Sequence, residues 1–213
     1  MLVKSFGRAR VDVSDPTALG PILGESEVLS QVVSMLDEAL SDLSAAGSSF
    51  SFPLAGFDGF DTPSTFSQFN RAVKAVALVY AGNKSSALTA LNSSFFNLNG
   101  DLTTGPKHVF SLSAGDFTNG LYKIIDNNGD QIIVHNSFIS DAELGDKRVT
   151  DKTIVRSDPT TQAGLNGTHQ TKLYATNISP IDRIRNEELV LLYAEANIPS
   201  NPTEAIKALN VIR

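Results

Sequence analysis

Four phenylalanines and two aspartates crowd into one Gly/Ser-rich stretch, GSSFSFPLAGFDGFD (47–61), and this is the chain's densest group of side chains able to bind something. Flat ring faces at Phe50, Phe52, Phe57 and Phe60 can stack on the C–H face of a pyranose, while Asp58 and Asp61 accept hydroxyl hydrogen bonds. The same residues can instead pin a long loop to a hydrophobic core. Phe lacks the polar edge of Trp or Tyr, which favours packing. Three further aromatics, Phe117, Tyr122 and Tyr174, raise the same pair of alternatives. The absence of Trp removes the best stacking residue.

Other chemistry is weaker. Asp126, Asn128 and Asp130 alternate as the first ligands of a calcium loop do, but Gln131 stands where a Gly should follow and Ser137 where a Glu should close it. A hairpin turn around Asn127, Asn128 and Gly129 is the better expectation. His108, His135 and His169 have no ligand spacing, so no metal is expected. Glu187 and Glu188 are the nearest approach to a glycosidase carboxylate pair, yet adjacent helical residues diverge by about 100°. Ion pairing with Arg185 accounts for them, and Glu195 is read the same way. Nucleophile elbows, phosphate loops and dinucleotide fingerprints are all missing, so neither an enzyme nor a cofactor is implied.

Composition narrows the class. A hydrophobic share of 41% with 19% charged residues describes a folded chain, and a net charge of -6 without a local Lys/Arg cluster argues against nucleic acid. No cysteine is present. The longest apolar run, Ala75 to Ala81, is far short of the roughly 20 residues that span a bilayer. The opening MLVKSFGRARVDV has no apolar core or cleavage site, so no secretion signal is expected within it.

The elements that must position these groups are helical at both ends. Residues 1–25 carry Gly and Pro at loop spacing. From Ser26 the stripe Leu29, Val32, Val33, Leu36, Leu40 and Leu43 predicts a helix over 27–45, stopping before Gly47. Thr62-Pro63 opens another, with Phe66, Phe69, Val73, Val76 and Tyr80 as its buried stripe. After a turn at Asn83 and Lys84, Ala87, Leu88, Leu91 and Phe95 continue to about Asn97. Residues 98–178 change character: KHVFSLS and LYKIIDNNGDQIIVHN read as extended, the second as a hairpin, and RSDPTTQAGLNGTHQTK (156–172) as a polar loop. From Ser179 a helix apolar nearly all round (Leu189 to Ala196) precedes one that Asn201 caps, with Pro202 at its first position and a stripe of Ala205, Ala208, Leu209 and Ile212. Reaching Arg213 without a capping Gly or Asn, that helix is expected to fray and to expose an apolar face.

The two hairpins echo one another. Tyr80-Ala81 followed by Ala87-Leu88-Thr89-Ala90-Leu91-Asn92 matches Tyr193-Ala194 followed by Ala205-Ile206-Lys207-Ala208-Leu209-Asn210. The fold class expected is mainly α, with tetratricopeptide-like α/α hairpins around an irregular, partly β insert. Both tyrosines then belong to the core.

The composite pattern R-x-x-E-L-x-L-x-Y-A-E-A (Arg185 to Ala196) followed by A-I-x-A-L-N-x-I-R (Ala205 to Arg213) closely resembles the SusD/RagB family of Bacteroidetes surface glycan-binding lipoproteins. The L-V-x-x-F-G start and F-x-x-F-N-R-A, with Phe66 where Trp is common, are further similarities. The resemblance implies a fragment of that fold, truncated at both ends: a loop segment at 1–25, helices with the first hairpin at 26–97, the insert at 98–178, and a second hairpin, cut short, at 179–213. It implies a non-catalytic module that captures oligosaccharides at the outer-membrane surface and passes them to a SusC-like TonB-dependent transporter. A lipid anchor absent from this chain would hold it there. It also draws Phe117, Tyr122 and Tyr174 into the candidate glycan contacts beside Phe57, Asp58 and Phe60, since the family gathers its binding aromatics outside its repeats. A helical scaffold gripping a protein and, less well supported, a glycoside hydrolase are the alternatives.

Overall fold

The computed structural model describes residues 2–162 and 164–212. Helix accounts for 43% of the chain, so the protein is mainly α with a little sheet. In order, the described elements are α1 (Leu2–Phe6), β1 (Arg8–Ala9), β2 (Leu23–Gly24), α2 (Glu25–Ala45), a 3-10 turn (Ala55–Phe57), α3 (Pro63–Tyr80), α4 (Lys84–Asn92), β3 (Lys107–His108), α5 (Asn136–Ser140), α6 (Lys147–Lys152), β4 (Thr153–Gln162), β5 (Leu165–Thr171), β6 (Ile181–Asp182), α7 (Asn186–Asn197) and α8 (Pro202–Ile212). β1 pairs with β2, β3 with β6 and β4 with β5. Two compact units result: one from 1–107 with 182–213, the other from 108–181.

The first unit is a row of helices in which α2 packs on α3, α3 on α4, α4 on α7 and α7 on α8. Local chemistry starts each of them. Thr62 accepts a hydrogen bond from the Thr65 amide (3.2 Å), with Pro63 in the first turn of α3; Asn83 accepts from Ser86 (3.2 Å) and Asn201 from Glu204 (3.3 Å). Such caps satisfy amides that the helix itself leaves unpaired. Gly47, at φ +76, ends α2 in the left-handed conformation that glycine adopts without penalty.

The core is built on small residues. Ala72, Ala75, Leu78 and Val79 of α3 meet Ala87, Ala90 and Leu91 of α4 and Leu189 and Ala196 of α7. Leu91 and Leu189 are wholly buried, each contributing about 1.5–3 kcal/mol of transfer free energy. Val190 and Ala194 then meet Ala208 of α8. A single asparagine ties the row together: Asn186, 1% exposed, donates to the carbonyl of Asn97 (2.7 Å) and accepts from its amide (2.9 Å). Gly105 makes a second tie, because any Cβ there would strike the Ile184 carbonyl.

Several sequence expectations are corrected. The buried face of α3 is the Ala72–Ala75–Leu78–Val79 face, and the expected stripe of Phe66, Phe69, Val73 and Val76 forms its half-buried flank. Tyr80 is not core: it is 45% exposed, with the Lys4 ammonium 5.1 Å from its ring centroid. Leu191 on α7 is 43% exposed, so that helix is not buried all round. α4 stops at Asn92 rather than Asn97. Leu209, expected in the apolar stripe of α8 with Ala205 and Ala208, is exposed, and with Ile206 and Val211 it forms an exposed apolar face such as was expected on this helix; the expected fraying at Arg213 lies outside the described residues.

The largest corrections fall in the second unit. The polar stretch 156–172, expected to be a loop, is most of the antiparallel pair β4–β5; only Ala163 within it lies outside the described residues. The hairpin expected around Asn127 to Gly129 does not form. Instead Ile132 to Val134 lies along β5, with Ile133 bridged to Gln170, Val134 donating to His169 (3.0 Å) and Thr171 donating to Ile132 (3.1 Å). Gly167 permits this approach, since a Cβ there would collide with Ile133.

Candidate functional site

The most deeply buried side chains described on β4 and β5 are polar. Arg156 is 3% exposed and Gln170 fully buried. The Arg156 guanidinium donates to the Gln170 amide oxygen (2.5 Å), to the Asp158 carbonyl (3.0 Å) and to the Asn128 side-chain oxygen. Gln170 in turn donates to the carbonyls of Ile124 (3.1 Å) and Lys123 (3.3 Å). Each buried polar atom here has a partner, the condition under which a polar core is tolerable. The network straps residues 123–130 against the strand pair.

The three oxygen side chains that alternate at 126, 128 and 130 are engaged separately. Asp126, at φ +62, accepts from the hydroxyl (2.6 Å) and amide (3.0 Å) of Ser157. The Ser157 hydroxyl, foremost, holds its carboxyl below the usual carboxylate range. Asn128 donates to Asp158 (2.5 Å), and Asp130 pairs with Lys123 (2.5 Å). They fasten a loop to β4 and converge on no common point. Among the described residues, no cluster of three His, Asp or Glu could hold a metal. His135 caps α5 by accepting from the Ser137 amide (3.2 Å).

Between this strapped loop and the β4–β5 turn opens a groove of about 1000 Å³. Asn128, Asp130, Gln131, His135 and Asn136 line one side and Thr160, Thr161 and Asn166 the other, with Ile133 and Gly167 also on its wall. Gly164, at φ +81, allows the strand reversal that brings the sides together. Asn136 donates to the Asn166 carbonyl (3.1 Å) and Thr161 to the Asn166 side chain (2.5 Å). The polar side chains of the lining are mostly amides and hydroxyls, with one carboxylate (Asp130) and one imidazole (His135), beside apolar Ile133 and Val134. Amides present a donor and an acceptor in fixed geometry, and hydroxyls serve as either, so the groove matches a neutral, polyhydroxylated ligand.

The aromatic candidates divide by environment. Phe60 is 7% exposed, its ring edge-on to Phe95 at 4.8 Å. Phe57 is half-buried against Phe66 (5.0 Å) and Phe69 (5.3 Å), and the Arg183 guanidinium lies 4.9 Å from its ring centroid. For both rings the structure favours packing over a sugar platform. Phe52 stays 60% exposed beside Phe50. Asp58 is exposed, and its backbone bridges to Lys107. In the second unit Phe117 is 85% exposed, while Tyr122 and Tyr174 are half-buried.

The glutamates of α7 serve the helix. Glu187 pairs with Arg185 (2.5 Å) and Glu188 accepts from the Arg185 amide (3.2 Å). Tyr193 stacks on Phe96 (4.9 Å) and donates to Glu204 (3.2 Å); burial, foremost, raises the pKa of its hydroxyl.

Of the groove residues, the sequence singled out those of the 126–130 cluster, its neighbour Gln131, and His135 as an isolated histidine. Asn136, Thr160, Thr161 and Asn166 belong to no motif, and the glycines at 164 and 167 were the sole hint of the turn that presents them. No helix among the described residues is long and apolar enough to cross a membrane. Comparison of the chain with protein-family models, curated proteins and solved structures gives no match.

Proposed function

We propose that the chain is a non-catalytic glycan-binding module whose ligand lies in the groove of the second unit. The observation that carries this is the lining: four side-chain amides and two hydroxyls, with one carboxylate and one imidazole, around a space large enough for an oligosaccharide segment. Phe117, Tyr122 and Tyr174 are not among the residues lining the groove; Phe117, with its exposed ring in the same unit, is proposed as a separate stacking surface for the glycan. Catalysis is disfavoured because hydrolysis of a glycosidic bond needs two opposed carboxyl groups, and the groove lining holds one, Asp130, tied to Lys123.

The resemblance to the SusD/RagB pattern supports the same reading. It extends it to capture at the outer-membrane surface, a lipid anchor outside this chain, and transfer to a SusC-like TonB-dependent transporter. It also makes the two helix pairs tetratricopeptide-like repeats. In support of that, Ala87 and Ala205, and Ala90 and Ala208, are buried at matching positions of α4 and α8.

The test is migration through gels containing a panel of polysaccharides. Retardation by at least one glycan without release of reducing ends is the expected result, and Asn166→Ala should reduce it. Reducing-end release would replace this reading with a hydrolase. One observation favours a second reading, a protein-binding scaffold: Ile206 (60% exposed), Leu209 (47%) and Val211 (36%) leave α8 with an uncovered apolar face. No glycan retention together with a stable protein complex lost in Leu209→Asp would favour it.

A further inference from the structure

A separate cleft, in the first unit, has the opposite character. It lies among α2, α3 and α4, encloses about 410 Å³, and is walled by Arg71 and Lys74 together with Ser67, Gln68, Ser86 and Thr89. No carboxylate is among its lining residues. In an acidic chain, this is a localised surplus of positive charge.

Asp37 offsets only part of it. Its carboxylate accepts from Arg71 (2.7 Å) and from Lys74 (2.6 and 2.8 Å), so one negative charge faces two positive ones. The Arg71 side chain is 9% exposed and that of Lys74 18%. Donor accounting leaves capacity on both. A guanidinium has five N–H groups. Those of Arg71 reach the Asn70 side chain through Nε and Nη2, the Leu36 carbonyl through Nη2 and Asp37 through Nη1. One Nη1 hydrogen remains, on a group nine-tenths buried. Lys74 likewise has three hydrogens and meets only the two oxygens of Asp37. Ser86 stands in the first turn of α4, where the helix end adds partial positive charge.

We propose that this cleft binds a small molecule through an oxyanion group, a carboxylate, sulfate or phosphate, held by Arg71 Nη1, Lys74 Nζ and the Ser86 hydroxyl. A second anion restores neutrality to a buried cation pair that Asp37 half-compensates, and it accepts the two N–H groups left over. The volume suits a ligand of about one sugar ring. This does not rest on the glycan reading of the other unit.

The test is titration of the isotopically labelled chain at low ionic strength, where screening is least, with sulfate, phosphate, glucuronate and, as uncharged control, glucose. Backbone amide signals of Lys74, Ser86 and Thr89 should shift saturably with at least one oxyanion and not with glucose. The tightest of the three identifies the anion's chemistry. Lys74→Gln should weaken binding at least tenfold. Asp37→Asn should tighten it, a sign that a purely structural ion pair does not give. Ser86→Asp keeps α4 folded, since an acidic residue suits a first turn, and should abolish binding. Oxyanions giving no shift below about 50 mM, glucose matching them, or Ser86→Asp binding like the parent would each overturn the proposal.

Discussion

Arg156 and Gln170 face each other across β4 and β5, joined by a 2.5 Å hydrogen bond at a place where neither is more than 3% exposed. No hydrophobic cluster occupies that position. The charge is solvated instead by a ring of amide and carbonyl oxygens. Replacing Arg156 with Met should therefore leave Gln170 and Asn128 short of a donor, at about 1–3 kcal/mol for each buried group left unsatisfied. Amide exchange at 154–156 and 168–171 should accelerate while α3 and α7 keep their protection. Lys should not rescue it, because one ammonium cannot reproduce the guanidinium's planar fork. Unchanged exchange in Arg156→Met would show that the network carries no weight.

Asn186 uses both ends of its amide on Asn97, as donor and acceptor at once. Asn186→Asp keeps the acceptor but turns the donor into an oxygen facing the Asn97 and Asp101 carbonyls. A loss of about 2–4 kcal/mol is expected, which for a chain of this size lowers the melting temperature by roughly 4–16 °C. A melt indistinguishable from the parent would contradict the clamp.

Hydrogen bonds from Lys74, then Arg71, hold the carboxyl of Asp37 below its ordinary value of 3.8. A carboxylate with a depressed pKa in the folded state stabilises fully above its unfolded value and loses that contribution as pH falls through its folded value. The stability gap between the parent and Asp37→Asn should thus be greatest above about pH 5 and close as pH drops below 3.8. Urea melts across pH 2.5–6, ranges chosen to bracket the carboxylate titration, would measure it. A gap that widens toward acid would reverse the assignment.

Phe57 and Phe117 should separate binding from packing. Phe117, 85% exposed, can be changed to Ala within about 0.5 kcal/mol of parental stability, yet Phe117→Ala should lower glycan retention. Phe57→Ala opens space beside Phe66 and Phe69 and should cost about 1–3 kcal/mol with retention intact once the chain is folded. The opposite pattern would move the platform to the 47–61 loop.

The long helices α2, α3, α7 and α8 were legible because they carry apolar residues at helical spacing and, at α3 and α8, capping side chains; the short α5 and α6, inside the stretch expected to be irregular, were not. Nor was the exact face of α3. Small Ala residues at 72 and 75 make the close contacts that larger Phe66 and Phe69 cannot, so hydrophobic size misled where steric fit decided. The strand pair was illegible for a different physical reason. A half-buried strand is recognised by alternating apolar residues, and here the buried residues Thr153, Arg156 and Gln170 are polar while Ile154 is only half-buried and Val155 exposed. Polarity satisfied by partners distant in sequence looks, in one dimension, like a loop. Asn127, Asn128 and Gly129 between two extended segments advertised a hairpin, but Gly167 gave Ile133 a closer neighbour on β5. The groove inherited that illegibility, since its walls are these misread segments.

The polar interior behind the groove sets how the second unit responds to temperature. Exposing apolar surface raises the heat capacity on unfolding and exposing polar surface lowers it. A unit centred on Arg156, Gln170 and Asn119 rather than on leucines therefore gains little heat capacity when it opens. Its stability curve is shallow, with less loss on cooling than the alanine-and-leucine row of the first unit. Near freezing, the second unit is therefore expected to lose a smaller share of its stability than the helical first unit.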